Sequence, residues 1–523
     1  MILSNSASSR CEQLAARLTG LVGWRRYSVA LVLGAAATLA LPPSYLAPVL
    51  FIVFPAVLWL LGGAQTKRQA FWTGWWFGFG YFFAGLYWIG FALLVFAAKH
   101  AWLLPFAVLG LPGLLAIYSG LAFLIAGRGR GIVARTILLI IAWSALEWVR
   151  GVFLTGFPWN LIGQSWVGST ALAQSAALFG VYGLSFLVLA SACAPALVIA
   201  KSACVRRVAL AFAIGVPLLA WIGGEIRLSG APAPGEGFVD GVGLRIVQAS
   251  IPQREKWGAE FRNRNLRRHI ALSIKDRPDW VTHVIWPEMA ATFYVESDPE
   301  TRRVLSSAAP PGGWLITGAP RRDETGLHNS AIALDSHGAI VGVYDKFHLV
   351  PFGEYVPFRE FLPFQKLTHG AGGYSPGPGP RTIQFPGLPP VSPLVCYEVI
   401  FPGAVMDRRN PADWMLNLTN DGWYGATAGP YQHLAIAQLR AIEEGAPMIR
   451  AAYTGVSAII DPYGRILQRL GLNQVGVIDA VLPEALFPDE YSQRTLYAIL
   501  GENLFLLMLL TASIILWLSR KLY

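Results

Sequence analysis

Val395-Cys396-Tyr397-Glu398 is the stretch on which the reading of this chain turns. The apolar run 391–395 leads into it and reads as a buried strand, which Pro393 would open or place at a sheet edge. Cys396 is the only cysteine between Val205 and the C-terminus. A thiol at a strand end, with a carboxylate two residues on, is how a nucleophile is often presented at the edge of an α/β sheet. A free cysteine also packs well as a small apolar core residue. Both readings of Cys396 stand until the rest of the chain is read.

The chain has 523 residues, of which 54% are hydrophobic and only 14% charged. Its mean hydropathy is +0.47. That is too apolar for a water-soluble protein of this size. The apolar residues are unevenly spread: 27–226 is almost continuously apolar, 227–494 is ordinary, and 495–518 is a final apolar run. Many of the 19 tryptophans lie near the ends of apolar runs, as interfacial anchors do. The net charge of +10 comes mostly from basic residues in short loops between apolar runs. That pattern orients a membrane protein and argues against nucleic acid as a partner. Cys11, Cys193 and Cys204 lie in the membrane part or its flanks, so 227–494 contains no internal disulfide.

A spanning helix needs about 20 mostly apolar residues. Eight candidates occur, at 27–41, 45–62, 70–93, 101–126, 133–150, 171–200, 206–226 and 495–518. Arg25 and Arg26 precede the first, Lys67 and Arg68 the third, Arg128, Arg130 and Arg135 the fifth, and Lys201, Arg206 and Arg207 the seventh. Arg520 and Lys521 follow the last. Basic loops thus alternate with poor ones, which places both termini in the cytoplasm and 227–494 outside it. The expected organisation is a cytoplasmic segment 1–26, seven spans over 27–226, an extracytoplasmic domain 227–494, an eighth span 495–518 and a tail 519–523. Glu147 and Arg150 share a helix face near the end of the fifth span and can pair. They read either as a local ion pair or as part of a lipid-access wall.

Within 227–494, strands are expected at 244–248, 280–285, 314–317, 330–334, 340–344, 391–395, 414–417, 448–452 and 457–460, with helices over 257–274 and 432–444. Strands alternating with helices and hairpins indicate an α/β sandwich. Glu288, Lys346 and Cys396 each fall just past a strand, where α/β sheets carry their sites. If those ends share one edge, the three form a set for acyl transfer through a thioester. A carboxylate takes the thiol proton, and an ammonium steadies thiolate and oxyanion. The competing arrangement pairs the thiol with His348 or His433, as in a papain-like hydrolase. The histidines show no ligand spacing, and Gly370-Ala371-Gly372-Gly373 lacks the lysine and helix of a phosphate loop, so neither metal nor cofactor is expected.

Glu288, the run Tyr344-Asp345-Lys346-Phe347-His348-Leu349-Val350-Pro351-Phe352-Gly353-Glu354, and Cys396-Tyr397-Glu398 resemble the three signatures of the nitrilase, or carbon–nitrogen hydrolase, superfamily. Such a domain between a seventh and an eighth span is similar to the apolipoprotein N-acyltransferase family of the bacterial inner membrane. Lys256-Trp257, Glu147-Trp148, Thr155-Gly156-Phe157-Pro158-Trp159 and Gly429-Pro430-Tyr431-Gln432-His433 extend the likeness along nearly the whole chain. The resemblance implies a nitrilase-like αββα sandwich inserted in an eight-helix transmembrane bundle, monomeric, with the catalytic domain on the periplasmic side. It implies Glu288 as general base, Lys346 as stabiliser of oxyanion and thiolate, and Cys396 as nucleophile. Glu354 and Glu398 would support the site, and Trp257, Tyr397 and Trp423 would line the substrate entry or pocket. The implied reaction is ping-pong and completes lipoprotein maturation. An acyl chain passes from a phospholipid to Cys396, and then to the α-amino group of a diacylglyceryl-cysteine lipoprotein.

Ser250, Gly422 and Tyr453 depart from the residues that family often has there, which are asparagine, alanine and asparagine. Phe352, Tyr355, Phe358, Phe361 and Phe364, followed by the glycine-rich 370–379, read as an aromatic lid facing the headgroups. Two other readings bear on the same residues. A membrane-anchored amidase or nitrilase would use water in place of the amine and hydrolyse a C–N bond. A transporter or receptor with a binding module would leave the Glu-Lys-Cys set without a role.

Overall fold

A computed structural model of the chain describes residues 2–357, 373–487 and 493–521. Phe358, Phe361, Phe364 and Gly370 of the expected lid lie outside the described residues. The chain divides into two compact units. The first comprises Met1–Gly90, Trp102–Gly230 and Leu500–Tyr523; the second comprises Phe91–Ala101 and Ala231–Ile499.

The first unit is helical, as long apolar runs without water to bond their backbone must be. Among the described residues four helices are long and apolar enough to cross a membrane: Ala97–Ala126, Gly131–Val152, Ala176–Ile199 and Ala203–Ser229. They coincide with the expected fourth to seventh spans. The second and eighth correspond to the shorter apolar helices Ala47–Gly62 and Asn503–Leu518. Expected spans one and three are helical over Gly23–Ala37 and Lys67–Leu86. The latter is 20 residues long but rich in Trp and Gly and opens on Lys67-Arg68-Gln69, which lowers its hydropathy. The expected eighth span is interrupted: Leu496–Leu500 is a separate helix, and Gly501 takes φ +57° before Asn503. Glu147 and Arg150 do not meet as the ion pair their spacing allows. Glu147 Oε1 accepts from Trp143 Nε1 at 3.0 Å and from the Ile162 N–H at 2.9 Å. Arg150 Nη1 donates to the carbonyls of Phe157 and Trp159 at 2.6 and 2.8 Å. The Arg150 guanidinium thereby holds the loop that follows its own helix.

The second unit contains two sheets. Its strands are β1 (Phe238–Gln248), β2 (His283–Ile285), β3 (Trp314–Asp323), β4 (Gly326–Asp335), β5 (Ile340–Asp345), β6 (Val391–Val395), β7 (Trp414–Thr419), β8 (Met448–Ala452), β9 (Ser457–Ile460), β10 (Ile466–Leu470) and β11 (Gly476–Pro483). One sheet has the order β11-β1-β2-β3-β4-β5, the other β10-β9-β8-β7-β6. Parallel pairing runs through β1-β2-β3 and through β6-β7-β8, with antiparallel strands added outside. In the second sheet β6 is the edge strand, so Pro393 forfeits no ladder bond on its open side. Leu244, Ile246 and Ile316 of the first sheet share one buried core with Val391, Leu416 and Ile449 of the second. The first sheet's other face packs Val247, Val284 and Leu315 against Leu266 of helix α1 (Ala259–Ile274) and Leu305 of helix α2 (Pro299–Ser306). Helix α3 (Gly429–Glu444) follows β7, and almost its entire length is buried.

Candidate active site

Each of the three residues singled out in the sequence follows a strand: Glu288 lies three residues past β2, Lys346 directly past β5 and Cys396 directly past β6. Glu288, Lys346 and Cys396 are 7%, 1% and 5% exposed, so their charges act in a medium far less screening than water. Lys346 Nζ lies 2.8 Å from Glu354 Oε2 and 3.8 Å from Glu288 Oε1. Asn329, on β4, donates from Nδ2 to Glu288 Oε1 at 2.7 Å and to Glu354 Oε1 at 2.8 Å. One amide therefore fixes the separation of two carboxylates that flank one ammonium. The turn bearing Glu288 is strained, with Met289 at φ +51°. It presses on β3 where only glycine fits, because a Cβ on Gly318 would lie 2.3 Å from the Met289 nitrogen.

Cys396 itself has φ +54°, a left-handed conformation rare outside glycine. The chain turns sharply there from β6 into the short helical turn Cys396–Ile400. Glu398 holds that turn. Its Oε2 accepts from the Val395 N–H at 2.6 Å, and its Oε1 from the N–H groups of Phe347 and His348 at 2.7 and 3.1 Å. Tyr344 Oη lies 3.1 Å from both oxygens. One fully buried carboxylate thus ties the strand end carrying the thiol to the segment carrying the lysine. In Glu398→Gln the new amide cannot accept from those N–H groups on one of its two sides. We expect a loss of about 2 to 3 kcal/mol, read as a lower Tm in detergent.

The Cys396 thiol is pushed up to about 12 by burial first and then by the Glu288 charge, with Lys346 opposing. Burial by itself would lower Lys346, but Glu354 and Glu288 outweigh it and hold the ammonium above its ordinary value. At neutral pH the Cys396 side chain is therefore a thiol beside a fixed cation, and it would need a base to act as a nucleophile. Thr419 Oγ1 lies 3.3 Å from Cys396 Sγ and 3.1 Å from Asp421 Oδ1, so the hydroxyl can donate to the carboxylate while facing the sulfur. Asp421 also takes His433 Nδ1 at 2.9 Å and Arg450 Nη2 at 2.7 Å. The imidazole thus bonds a carboxylate in a buried network behind the thiol. His348 stacks on Phe401 with ring centroids 3.5 Å apart.

The three aromatic candidates are placed differently. Trp257 is partly buried against Met289, Leu349 and Tyr374, and Tyr397 is buried edge-on to Phe401. Trp423 is half-buried on the turn Asp421–Trp423, which the Asn420 side chain caps. The three departures sit in different surroundings. Ser250 sits at φ +47°, where asparagine is the easier residue. A Cβ on Gly422 would lie 3.0 Å from both Asn420 Oδ1 and Thr454 Oγ1, so alanine would crowd two polar oxygens. The Tyr453 ring lies under the Lys256 ammonium, 3.9 Å from Nζ to centroid. Asn329, Thr419 and Lys256 were not singled out as site residues in the sequence. Asn329 lies between His328 and Ser330, and Thr419 two residues past Asn417, so neither stands out as a polar residue in an apolar strand.

A family model described as the apolipoprotein N-acyltransferase N-terminal domain matches residues 33–194. One described as carbon-nitrogen hydrolase matches residues 245–486. The apolipoprotein N-acyltransferase of Rhodopseudomonas palustris is 42% identical over 504 residues, covering 92% of each chain. The chain belongs to the apolipoprotein N-acyltransferase family. Another member, from Bradyrhizobium diazoefficiens, is 40% identical over 513 residues, covering 93% of this chain and 95% of its own. Among solved structures, an amidase from Nesterenkonia sp. is 20% identical with a TM-score of 0.36, over 48% of this chain and 96% of its own. A carbon–nitrogen hydrolase superfamily protein from Xanthomonas campestris is 19% identical with a TM-score of 0.35, over 50% of this chain and 97% of its own. The apolipoprotein N-acyltransferase relatives therefore match both the membrane part and the domain that holds Glu288, Lys346 and Cys396.

Proposed function

We propose that this protein is an apolipoprotein N-acyltransferase. It takes an acyl chain from a phospholipid onto Cys396 and passes it to the α-amino group of a diacylglyceryl-cysteine lipoprotein. What carries the reading is that the likeness to the relatives spans the membrane part as well as the hydrolase-like domain. An amidase needs only the second.

In the first half-reaction Glu288 accepts the Cys396 proton as Sγ attacks the ester carbonyl. Lys346 steadies the negative charge that develops on the carbonyl oxygen. The tetrahedral intermediate collapses to the thioester, and the lysophospholipid leaves with the proton returned by Glu288. In the second half-reaction the amine attacks the thioester, Glu288 takes its proton, and the thiol is regenerated as the amide forms. Asn329 bonds Glu288, and Glu354 takes the short 2.8 Å contact to Lys346, which leaves the base and the cation 3.8 Å apart. No metal or organic cofactor enters these steps.

Both substrates are lipid-anchored, so the site must open at a bilayer surface. The reading therefore includes an αββα sandwich over 227–494, seven spans before it and an eighth after it. It also includes a bacterial inner membrane with the catalytic domain on the periplasmic side, and action as a monomer. Trp257, Tyr397 and Trp423 line the approach, and Glu398 supports the nucleophile's turn.

The test uses the full chain in vesicles of defined phospholipid with a diacylglyceryl-cysteine peptide. The expected products are N-acyl peptide and lysophospholipid in equal amounts. Release of free fatty acid, with the peptide amine unmodified, would assign the site to hydrolysis instead.

A further inference from the structure

Lys256 is buried as deeply as Lys346, at 1% exposed, yet the mechanism above leaves it without a part. It follows the turn Gln253–Glu255, which is held from two sides. Asn265 of α1 donates to the Glu255 carbonyl at 2.9 Å, and Asn420 donates to Gln253 Oε1 at 2.9 Å. Lys256 Nζ donates to the Glu288 main-chain carbonyl at 2.9 Å. That carbonyl belongs to the peptide preceding the left-handed Met289. Its other neighbour is the face of Tyr453, with Nζ 3.9 Å from the ring centroid. Among the described residues no carboxylate lies within ion-pair distance of it. A buried ammonium satisfied by a carbonyl and a ring face, rather than by an anion, keeps its field for other groups.

The groups facing it are few. Glu288, and Cys396 when it is a thiolate, favour the Lys256 ammonium and oppose the burial that lowers it to about 7. His269 of α1 feels Lys256 and is itself lowered to about 4 by burial first. It is thus neutral where the enzyme works. Tyr453 is kept protonated by burial, with Arg268 opposing. Its main-chain N–H donates at 3.0 Å to the carbonyl of Thr419, whose hydroxyl meets the Cys396 sulfur.

We propose that Lys256 is a positioning residue of this site: its Nζ pins the Glu288 turn and presents a second buried cation to Cys396, and the Tyr453 ring holds it there. The inference rests on Glu288 as base and Cys396 as nucleophile. It assigns a task to a residue pair, Lys256 with Tyr453, that is outside the Glu-Lys-Cys set. The Lys256 ammonium and the Cys396 thiolate favour each other, so the charge state of one bears on that of the other. Below about pH 7 the ammonium helps the thiolate form. Above that pH, gaining the thiolate means keeping a proton the lysine would otherwise lose, and the gain per pH unit shrinks.

The experiment measures the rate of iodoacetamide modification of Cys396 by peptide-resolved mass spectrometry, from about pH 6 to 9. It uses the full chain in detergent. Acyl-adduct formation from phospholipid vesicles is followed on the same samples. The parent rate is expected to rise steeply up to about pH 7 and then to flatten. K256M should be roughly tenfold slower at the acid end and should rise steadily throughout, which fits loss of one nearby cation. Its adduct formation should be slower, with the concentration dependence on phospholipid unchanged. Y453F, which keeps the ring, should follow the parent; Y453L should move towards K256M. If K256M does not fold, the Y453F and Y453L pair carries the test alone. A K256M profile that superimposes on the parent's overturns the proposal. So does a uniform drop at every pH, which is what a merely structural fault gives. Failure of the parent itself to form an adduct strikes the underlying reading and is distinguished in the same experiment.

Discussion

Glu288→Gln is expected to slow acylation of Cys396 by about three orders of magnitude while leaving the fold intact. The thiol is pushed up to about 12, so almost none of it is ionised at neutral pH, and the proton must leave as the carbon–sulfur bond forms. Glutamine fills the same space, and its carbonyl can still accept from Asn329 Nδ2, which now sits at 2.7 Å from Oε1. Lys346 keeps Glu354 at 2.8 Å. What is lost is the ability to take a proton. Single-turnover adduct formation, followed by mass, reads the effect, and an unchanged Tm separates it from misfolding. A variant that acylates within tenfold of the parent would remove Glu288 as the base.

Arg450→Met is expected to cost about 3 to 5 kcal/mol of stability, because it strands a buried carboxylate. The guanidinium lies on β8 with no solvent access. It donates to Asp421 Oδ2 at 2.7 Å, to the Val456 carbonyl at 3.2 Å and also to Asn417. Burial would raise Asp421, but Arg450 and His433 hold it down at about 2, below its ordinary 3.8. A depressed folded value means stability that is present above about pH 3.8 and is lost as the pH falls through 2. In Arg450→Met that acid-range loss should disappear, because Asp421 takes up its proton on folding. Thermal unfolding in detergent across acid pH reads both effects. A Tm unchanged at neutral pH would show the network to be dispensable.

Much of the candidate site could be read from local signals. Glu288, Lys346 and Cys396 each follow an apolar strand, and strand ends are visible in an alternating or apolar run. Glu398 was visible as the carboxylate two residues past Cys396, whereas Glu354 was visible only because its surroundings matched known signatures. What stayed hidden depends on partners far apart in the chain. Asn329 bridges Glu288 and Glu354 from a strand between them, and its sequence neighbours reveal nothing of either carboxylate. Lys256 entered the sequence reading only within the Lys256-Trp257 likeness, and its burial is explained by the Glu288 carbonyl and by the Tyr453 ring, 197 positions away in number. The left-handed φ of Cys396 and Met289 has no compositional signature, since neither is glycine or asparagine.

The fold had the same division. The strands at 414–417 and 448–452 were found because both faces are buried, which makes them mostly apolar, with Asn417 and Arg450 as the exceptions. β10 was missed because Leu467, Gln468 and Arg469 are exposed on an edge strand with no alternation. β3 extends six residues beyond the expected 314–317, because Gly318–Asp323 continues the hairpin with β4 through pairing, not through apolarity. The membrane count shows the limit of hydropathy. An apolar run over 495–518 cannot reveal that Gly501 breaks it into two helices.

In the proposed mechanism Cys396 carries the acyl chain as a thioester between two lipid-anchored substrates. Intact-protein mass spectrometry after exposure to phospholipid of a single defined acyl chain tests it most directly. The parent should gain the mass of one acyl group, lose it to hydroxylamine, and lose it to a diacylglyceryl-cysteine peptide that gains the same mass. Cys396→Ser should gain no hydroxylamine-labile mass. An adduct that persists in Cys396→Ser, or peptide acylation by that variant at the parent's rate, would contradict the account.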